Sequence, residues 1–156
     1  MVKITSVTPN NRKRAFEVCA RGETWLYPYS KGDVVPTAAD PLTDIAIDPE
    51  CACEVFEYHL ASGAQGFVHI EQVLEYNHEP GYMRDLLLYK LTTEAQRLVE
   101  QSALSKREII RKLRTSPAQF YRLLDQTNYS KSVDKMLDLL QALDCDVEVI
   151  VREKSA

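Results

Sequence analysis

Two short helix patterns meet at Arg114 and Thr115 in the stretch SKREIIRKLRTSPAQFYRLL, Ser105 to Leu124, and each opens on its own capping signature. Ser105 followed by Glu108 fits the S-x-x-E box, in which the serine oxygen accepts the third helical N–H and the glutamate reaches back to the serine N–H. Ser116 followed by Gln119 repeats the box. Pro117 falls at the first helical position, where a missing N–H costs nothing. Leu104, Ile109, Ile110 and Leu113, then Phe120, Leu123 and Leu124, recur at helical spacing and face a shared core, which leaves the remaining positions outward. The pattern is that of a helix-turn-helix, with Pro117 to Leu124 as its second, outward-reading helix.

Charge partition marks the same segment independently. From Ser105 to Lys135 there are eight cations (Lys106, Arg107, Arg111, Lys112, Arg114, Arg122, Lys131 and Lys135) against Glu108, Asp125 and Asp134, a local net of 8 − 3 = +5. The whole chain carries −4, so everything else sums to −9. Positive potential confined to one small unit is the footprint of a surface that meets phosphates. Residues 1 to 90, by contrast, hold eight positive and thirteen negative side chains, a net of −5.

At 156 residues the chain makes one domain or two small ones. No apolar run approaches the roughly 20 residues that span a bilayer, and MVKITSV lacks the hydrophobic segment of a signal peptide. The expectation is a cytoplasmic protein with no membrane contact. Cys19, Cys51, Cys53 and Cys145 are scattered, and C-A-C at Cys51 and Cys53 has the wrong spacing for a zinc site, so reduced thiols and no metal are expected.

The first eighty residues read as strands and turns. Val2, Ile4 and Val7 begin an extended segment ended by Pro9 and Asn10; Ala15 to Ala20 and Thr24 to Tyr29 flank Arg21-Gly22 as a hairpin. KGDVVPTAADP is a surface loop before a short strand at Asp44 to Asp48. Glu54 to Leu60 alternates, with Val55, Glu57 and His59 on one face and Phe56, Tyr58 and Leu60 on the other, and Ser62-Gly63 turns it back into Gly66 to Ile70. About five strands joined by hairpins predict a mostly antiparallel sheet. Pro80 then opens a connector helix, Thr92 or Thr93 caps the next, DQTNYSKS is a polar loop, and Ser132 starts a last helix with Val133, Met136, Leu137, Leu139, Leu140 and Leu143. Val147, Val149 and Val151 alternating with Glu148, Ile150 and Arg152 predict a final short strand. The expected fold is α+β: an acidic, mostly antiparallel β-rich domain over 1–78, a connector helix over 79–91, and a four-to-five-helix helix-turn-helix domain with its strand over 92–156.

Helices in this order, with REIIRKLRTSPAQFYRLLD in the middle and SVDKMLDLLQALDCDVEV behind it, resemble the DNA-binding domain of the lambda repressor and Cro type, the XRE family, over roughly Thr92 to Leu143. The leading part resembles only the acidic front of uncharacterised bacterial proteins that carry such a domain behind it. Two positions depart from the family pattern. Arg114 stands where many members have glycine, at a cost of about 1 kcal/mol if the turn is left-handed. Pro117 stands where glutamine is frequent, which removes one base contact.

The resemblance implies that Pro117 to Leu124 lies in the major groove of double-stranded DNA. Ala118, Gln119, Tyr121 and Arg122 then point outward as the base-contacting set: Arg122 toward guanine O6 and N7, Gln119 toward adenine N6 and N7, Ala118 toward a thymine methyl, with Tyr121 also able to reach a phosphate or pack beside its neighbours. Thr115 and Ser116 hold a phosphate at the helix start, Arg111 and Arg114 flank the groove, and Gln126, Asn128, Tyr129 and Lys131 form the second backbone clamp.

The function these readings imply is a bacterial DNA-binding transcriptional regulator, acting as a homodimer so that symmetry supplies two half-sites, with the first domain dimerising or binding a partner or ligand. An alternative of another class is an antitoxin-like interaction module whose acidic front meets a basic protein while the helical part represses its own operon. An enzyme is not expected, nor a cofactor: Gly-rich phosphate loops, G-x-S-x-G and H-E-x-x-H are absent from the sequence. The one catalytic constellation to weigh is His59 and His69 on adjacent strands, with Asp48 or Glu57 nearby.

Overall fold

The first sheet is built around the turn at Arg21 and Gly22, whose φ angles of 52° and 77° are the mirror-image geometry that matches the twist of a two-residue hairpin. Three strands pair antiparallel in sequence order: β1 (Ile4–Asn10), β2 (Ala15–Ala20) and β3 (Glu23–Pro28). A second meander follows with β4 (Leu42–Asp48), β5 (Val55–Leu60) and β6 (Gln65–His69), again in sequence order. This arrangement comes from a computed structural model that describes residues 1–153. Its backbone separates into two units, Met1–Met83 and the chain from Arg84 onward.

The inward sides of the two sheets share one core. Phe16 and Val18 from β2 meet Phe56 and Tyr58 from β5 and Val68 from β6, all with no exposed surface. Phe16 stands at the centre, with ring centroids 5.0 Å from Phe56 and 4.8 Å from both Tyr58 and Tyr29. The alternation predicted for Glu54 to Leu60 holds: Phe56, Tyr58 and Leu60 are buried, while Val55, Glu57 and His59 lie on the wetter face.

The predicted strand to Ile70 is one residue too long, because a helix begins there. Helix α1 (Ile70–Tyr76) follows β6 directly. His69 Nδ1 accepts the Glu71 N–H at 3.1 Å and Gln72 Oε1 accepts the His69 N–H at 2.8 Å, a capping exchange with histidine in the serine role. Ile70, Val73 and Leu74 then bury one stripe against the sheets.

The predicted connector and the helix after it are one helix, α2 (Pro80–Gln101). Thr92 does not cap anything. It is fully buried, and its hydroxyl donates back to the Leu88 carbonyl at 2.6 Å. Leu88, Thr92, Ala95 and Val99 form an unbroken buried stripe, so packing carries the helix through the threonines. Helices α3 (Lys106–Leu113), α4 (Pro117–Leu124) and α5 (Val133–Ala142) complete the second unit, around Ile109, Phe120, Met136, Leu139 and Leu140.

The strand predicted over Asp146 to Arg152 is not formed. That segment forms neither helix nor strand, with Val149 84%, Ile150 69% and Val151 90% exposed. A period-two pattern becomes a strand only when a neighbour takes its N–H and C=O groups, and among the described residues the second unit contains no strand.

Candidate nucleic-acid interface

Helices α3 and α4 are joined by Arg114, Thr115 and Ser116, the length of a helix-turn-helix connection. Arg114 makes the turn. Its φ and ψ of 56° and 46° are left-handed, its N–H donates to Arg111 O at 3.1 Å, and the Thr115 N–H donates to Ile110 O at 3.3 Å. These two bonds are the Schellman closure, ordinarily made by glycine. The same closure ends α1 at His78 and α5 at Asp144, so a chain with five glycines closes three helices with other residues.

The Ser105 box is complete: Ser105 Oγ accepts the Glu108 N–H at 3.2 Å and Glu108 Oε2 accepts the Ser105 N–H at 3.0 Å. At Ser116 only half forms. Its Oγ accepts the Gln119 N–H at 3.2 Å, whereas the Gln119 amide does not return to Ser116. Gln119 is exposed, and so are Ala118, Tyr121 and Arg122. Tyr121 is 53% exposed with its ring 5.3 Å from that of Phe120. The outward face of α4 therefore presents a methyl, an amide, a phenol and a guanidinium, with no side-chain hydrogen bond holding any of them among the described residues.

The C-terminal end of α4 is fastened from three directions. Lys131 Nζ donates to Leu123 O at 2.9 Å and Asp125 O at 2.8 Å, Gln96 Nε2 from α2 donates to Leu124 O at 2.6 Å, and Asn128 Nδ2 reaches Arg122 O at 3.3 Å. The Leu123 and Leu124 carbonyls thus find donors, and those of Arg122 and Asp125 gain a second beside the N–H groups of Asp125 and Asn128. The loop behind it is equally tied: Asp125 accepts from the Thr127 N–H and hydroxyl, Asn128 accepts from those of Ser130, and the Arg84 guanidinium bridges Tyr129 O at 3.1 Å and Lys131 O at 3.3 Å.

This geometry corrects one member of the expected phosphate set. Lys131 is 7% exposed, its ammonium spent on two carbonyls, and burial lowers its pKa from the ordinary lysine value, partly offset by Asp125. It is a helix-end fastener, not a free cation. Asn128 is half-buried with both ends of its amide engaged. Arg111, Arg114, Ser116, Gln126 and Tyr129 are exposed and Thr115 is half-buried. Seven of the eight cations between Ser105 and Lys135 remain at the surface, with Lys112 3.3 Å from Asp144. Arg84 and Gln96, which position α4 and its loop, went unrecognised in sequence, since they sit 28 to 47 residues from what they hold.

The histidines do not converge. His59 sits opposite Gln65 and His69 opposite Val55, so on β6 they are four residues apart, about 13 Å along the strand. His59 pairs with Glu57 at 3.0 Å and His69 with Glu54 at 3.4 Å, and among the described residues no three metal-ligating side chains come together. The first unit does carry a cleft of about 290 Å³ lined by Asn11, Arg14, Tyr29, Thr37 and Leu42 with Pro36 and Pro41, in which Arg14 donates to Pro36 O at 3.1 Å and Tyr29 to Asn11 Oδ1 at 2.8 Å.

No protein-family model matches the chain, nor does any curated protein or solved structure.

Proposed function

We propose that this protein is a sequence-specific DNA-binding regulator of the XRE type, reading the major groove of double-stranded DNA with α4 and acting as a homodimer. One observation carries the reading: Ala118, Gln119, Tyr121 and Arg122 stand together on the solvent side of a helix whose two ends are both fastened, and of the four only Tyr121 packs against the core, through its ring on Phe120. A reading helix needs this combination, because side chains must be free while their backbone is fixed to within a fraction of an ångström. Exposed Arg111 and Arg114 beside it support the backbone-contacting role.

The first unit supplies the partner or ligand function in this reading. Residues 1–83 hold six cations and twelve carboxylates, a net of −6, which disfavours contact with phosphates. The same acidity favours a second reading, an antitoxin-like role in which this unit covers a basic partner protein.

The test is selection of bound sequences from random duplex DNA by the purified full chain at low salt. Enrichment of a site with two related halves about 34 Å apart supports the regulator. Failure to enrich any site sinks it and leaves the interaction reading.

A further inference from the structure

The stretch that leaves α5 is the least expected surface of the second unit. Asp146 to Arg152 forms neither helix nor strand and carries three β-branched residues, Val149, Ile150 and Val151, among the most exposed large apolar side chains of the described residues. Among the described residues its backbone N–H and C=O groups have no ladder partner. An exposed apolar segment of this kind is an open template for strand pairing.

We infer that this segment is a self-complementary docking strand: two copies of the chain pair Asp146–Arg152 antiparallel about a two-fold axis through Val149. The choice of occupant rests on the residues themselves. In an antiparallel pair centred on Val149, residue 149 + n of one copy faces residue 149 − n of the other. Val149 then meets its own copy, and Val147 faces Val151 twice. These three cross-strand pairs bring six valines onto one side of the ribbon. On the other side Asp146 faces Arg152 at both ends, two opposite-charge pairs. Moving the axis to Ile150 pairs Val147 with Glu153 and breaks up the valine face. The charges thus select the partner and the valines select the register.

Such an interface is isologous, so the two-fold axis closes it at two copies, each strand pairing through one edge and keeping one outer edge. A two-stranded ribbon is weak by itself, so the dimer forms with modest affinity and dissociates on dilution. The inference rests on the dimer in the proposed function and deepens it by naming the surface.

Sedimentation velocity of the full chain across a wide concentration range tests it, with thermal unfolding as the check on folding. The wild type should sediment as a dimer that dissociates on dilution. Val149→Asp sets like charges face to face at the axis and should weaken the dimer roughly tenfold or more while leaving the unfolding midpoint in place, since Val149 is 84% exposed. Asp146→Arg and Arg152→Asp should each weaken it separately. An equimolar mixture of those two variants should restore a dimer, because each chain then faces opposite charge at both ends.

A wild-type dimer unaffected by Val149→Asp overturns this surface but leaves the dimeric regulator standing. Variants that weaken singly without recovery in the mixture overturn the register. A wild type that stays monomeric at every concentration, alone and on selected DNA, overturns both the surface and the dimer. Backbone amide protection over Val147–Val151 that persists in the monomer assigns the segment to pairing within one chain and also overturns the inference.

Discussion

The Lys131 ammonium donates to the carbonyl of Leu123 at 2.9 Å, eight residues back at the end of α4, and thereby turns a residue of the basic run into part of the helix cap. A buried lysine is tolerable only where its donors are satisfied, and here Asp125 O takes a second bond at 2.8 Å. Lys131→Met, of similar length and no charge, should destabilise the second unit by roughly 1 to 3 kcal/mol, since it leaves the Leu123 carbonyl without a donor and the Asp125 carbonyl with only the Asn128 N–H. Chemical unfolding measures that loss. At temperatures where the variant is folded, the slope of log binding constant against log salt should match wild type, whereas Arg111→Ala should lower it by about one unit. A slope change for Lys131→Met equal to that of Arg111→Ala would return Lys131 to the phosphate surface.

Arg114 invites a two-sided test. In a left-handed position a residue with a Cβ costs about 1 kcal/mol relative to glycine, less the extra freedom glycine gains when unfolded. Arg114→Gly should therefore raise the stability of the second unit by about 0.5 to 1 kcal/mol. Arg114→Val, β-branched, should lower it by at least as much. Both remove the same charge, so both should reduce the salt slope of DNA binding alike. Equal stability for the two variants would mean the turn does not hold its φ of 56° in solution.

Much of this site was legible because its determinants are local. Ser105, Glu108, Ser116 and Pro117 act within one helical turn of the backbone they cap, and the apolar spacing of Ile109, Phe120 and Leu123 reports the core directly. The strand alternation of Phe56, Tyr58 and Leu60 was readable for the same reason. What failed depended on distant partners or on an unusual residue in a familiar position. Thr92 is a good cap by type, yet the buried stripe from Leu88 to Val99 draws the helix straight through it. Helix α1 was hidden because histidine at His69 fills a capping position usually held by serine or threonine. Lys131 reads as surface charge until the ends of α4 and its loop are seen to fold over it. The strand pattern after α5 is genuine as a pattern, but a strand also needs a neighbour.

Base readout makes a distinct prediction for α4. If Arg122 donates to a guanine edge, Arg122→Ala should cost roughly 1 to 3 kcal/mol on the selected site and relax preference at one base position. Gln119→Ala should do the same at a different position, with little loss of stability, because the Gln119 amide returns nothing to the Ser116 cap. Competition binding against sites substituted one base at a time separates the two. Uniform weakening on every sequence would place Arg122 on phosphate alone.

The last prediction concerns the first unit and pH. Tyr27, Tyr29 and Tyr58 have their phenol pKa values raised, in each case chiefly by burial, so the folded state holds protons that the unfolded chain releases near pH 10. For an acid whose folded pKa is raised, the stability contribution is complete below the unfolded value and is lost as pH climbs through and beyond it. The first unit should accordingly weaken above about pH 10, with phenolate absorbance appearing together with the loss of sheet signal. Tyr58 is the most constrained of the three: its hydroxyl donates to Val34 O at 2.7 Å and accepts the Val34 N–H at 3.2 Å, and a Cβ added at Gly66 or Gly32 would lie 2.4 or 2.2 Å from its ring or hydroxyl. Tyr58→Phe should lower stability at neutral pH by about 1 kcal/mol through the lost hydrogen bonds while flattening the alkaline decline. Gly66→Ala should cost more than Tyr58→Phe, because the ring has no room to retreat within a core that Phe16 and Phe56 already fill. An alkaline limb unchanged by Tyr58→Phe would mean that Tyr27 and Tyr29, or groups elsewhere, govern the response.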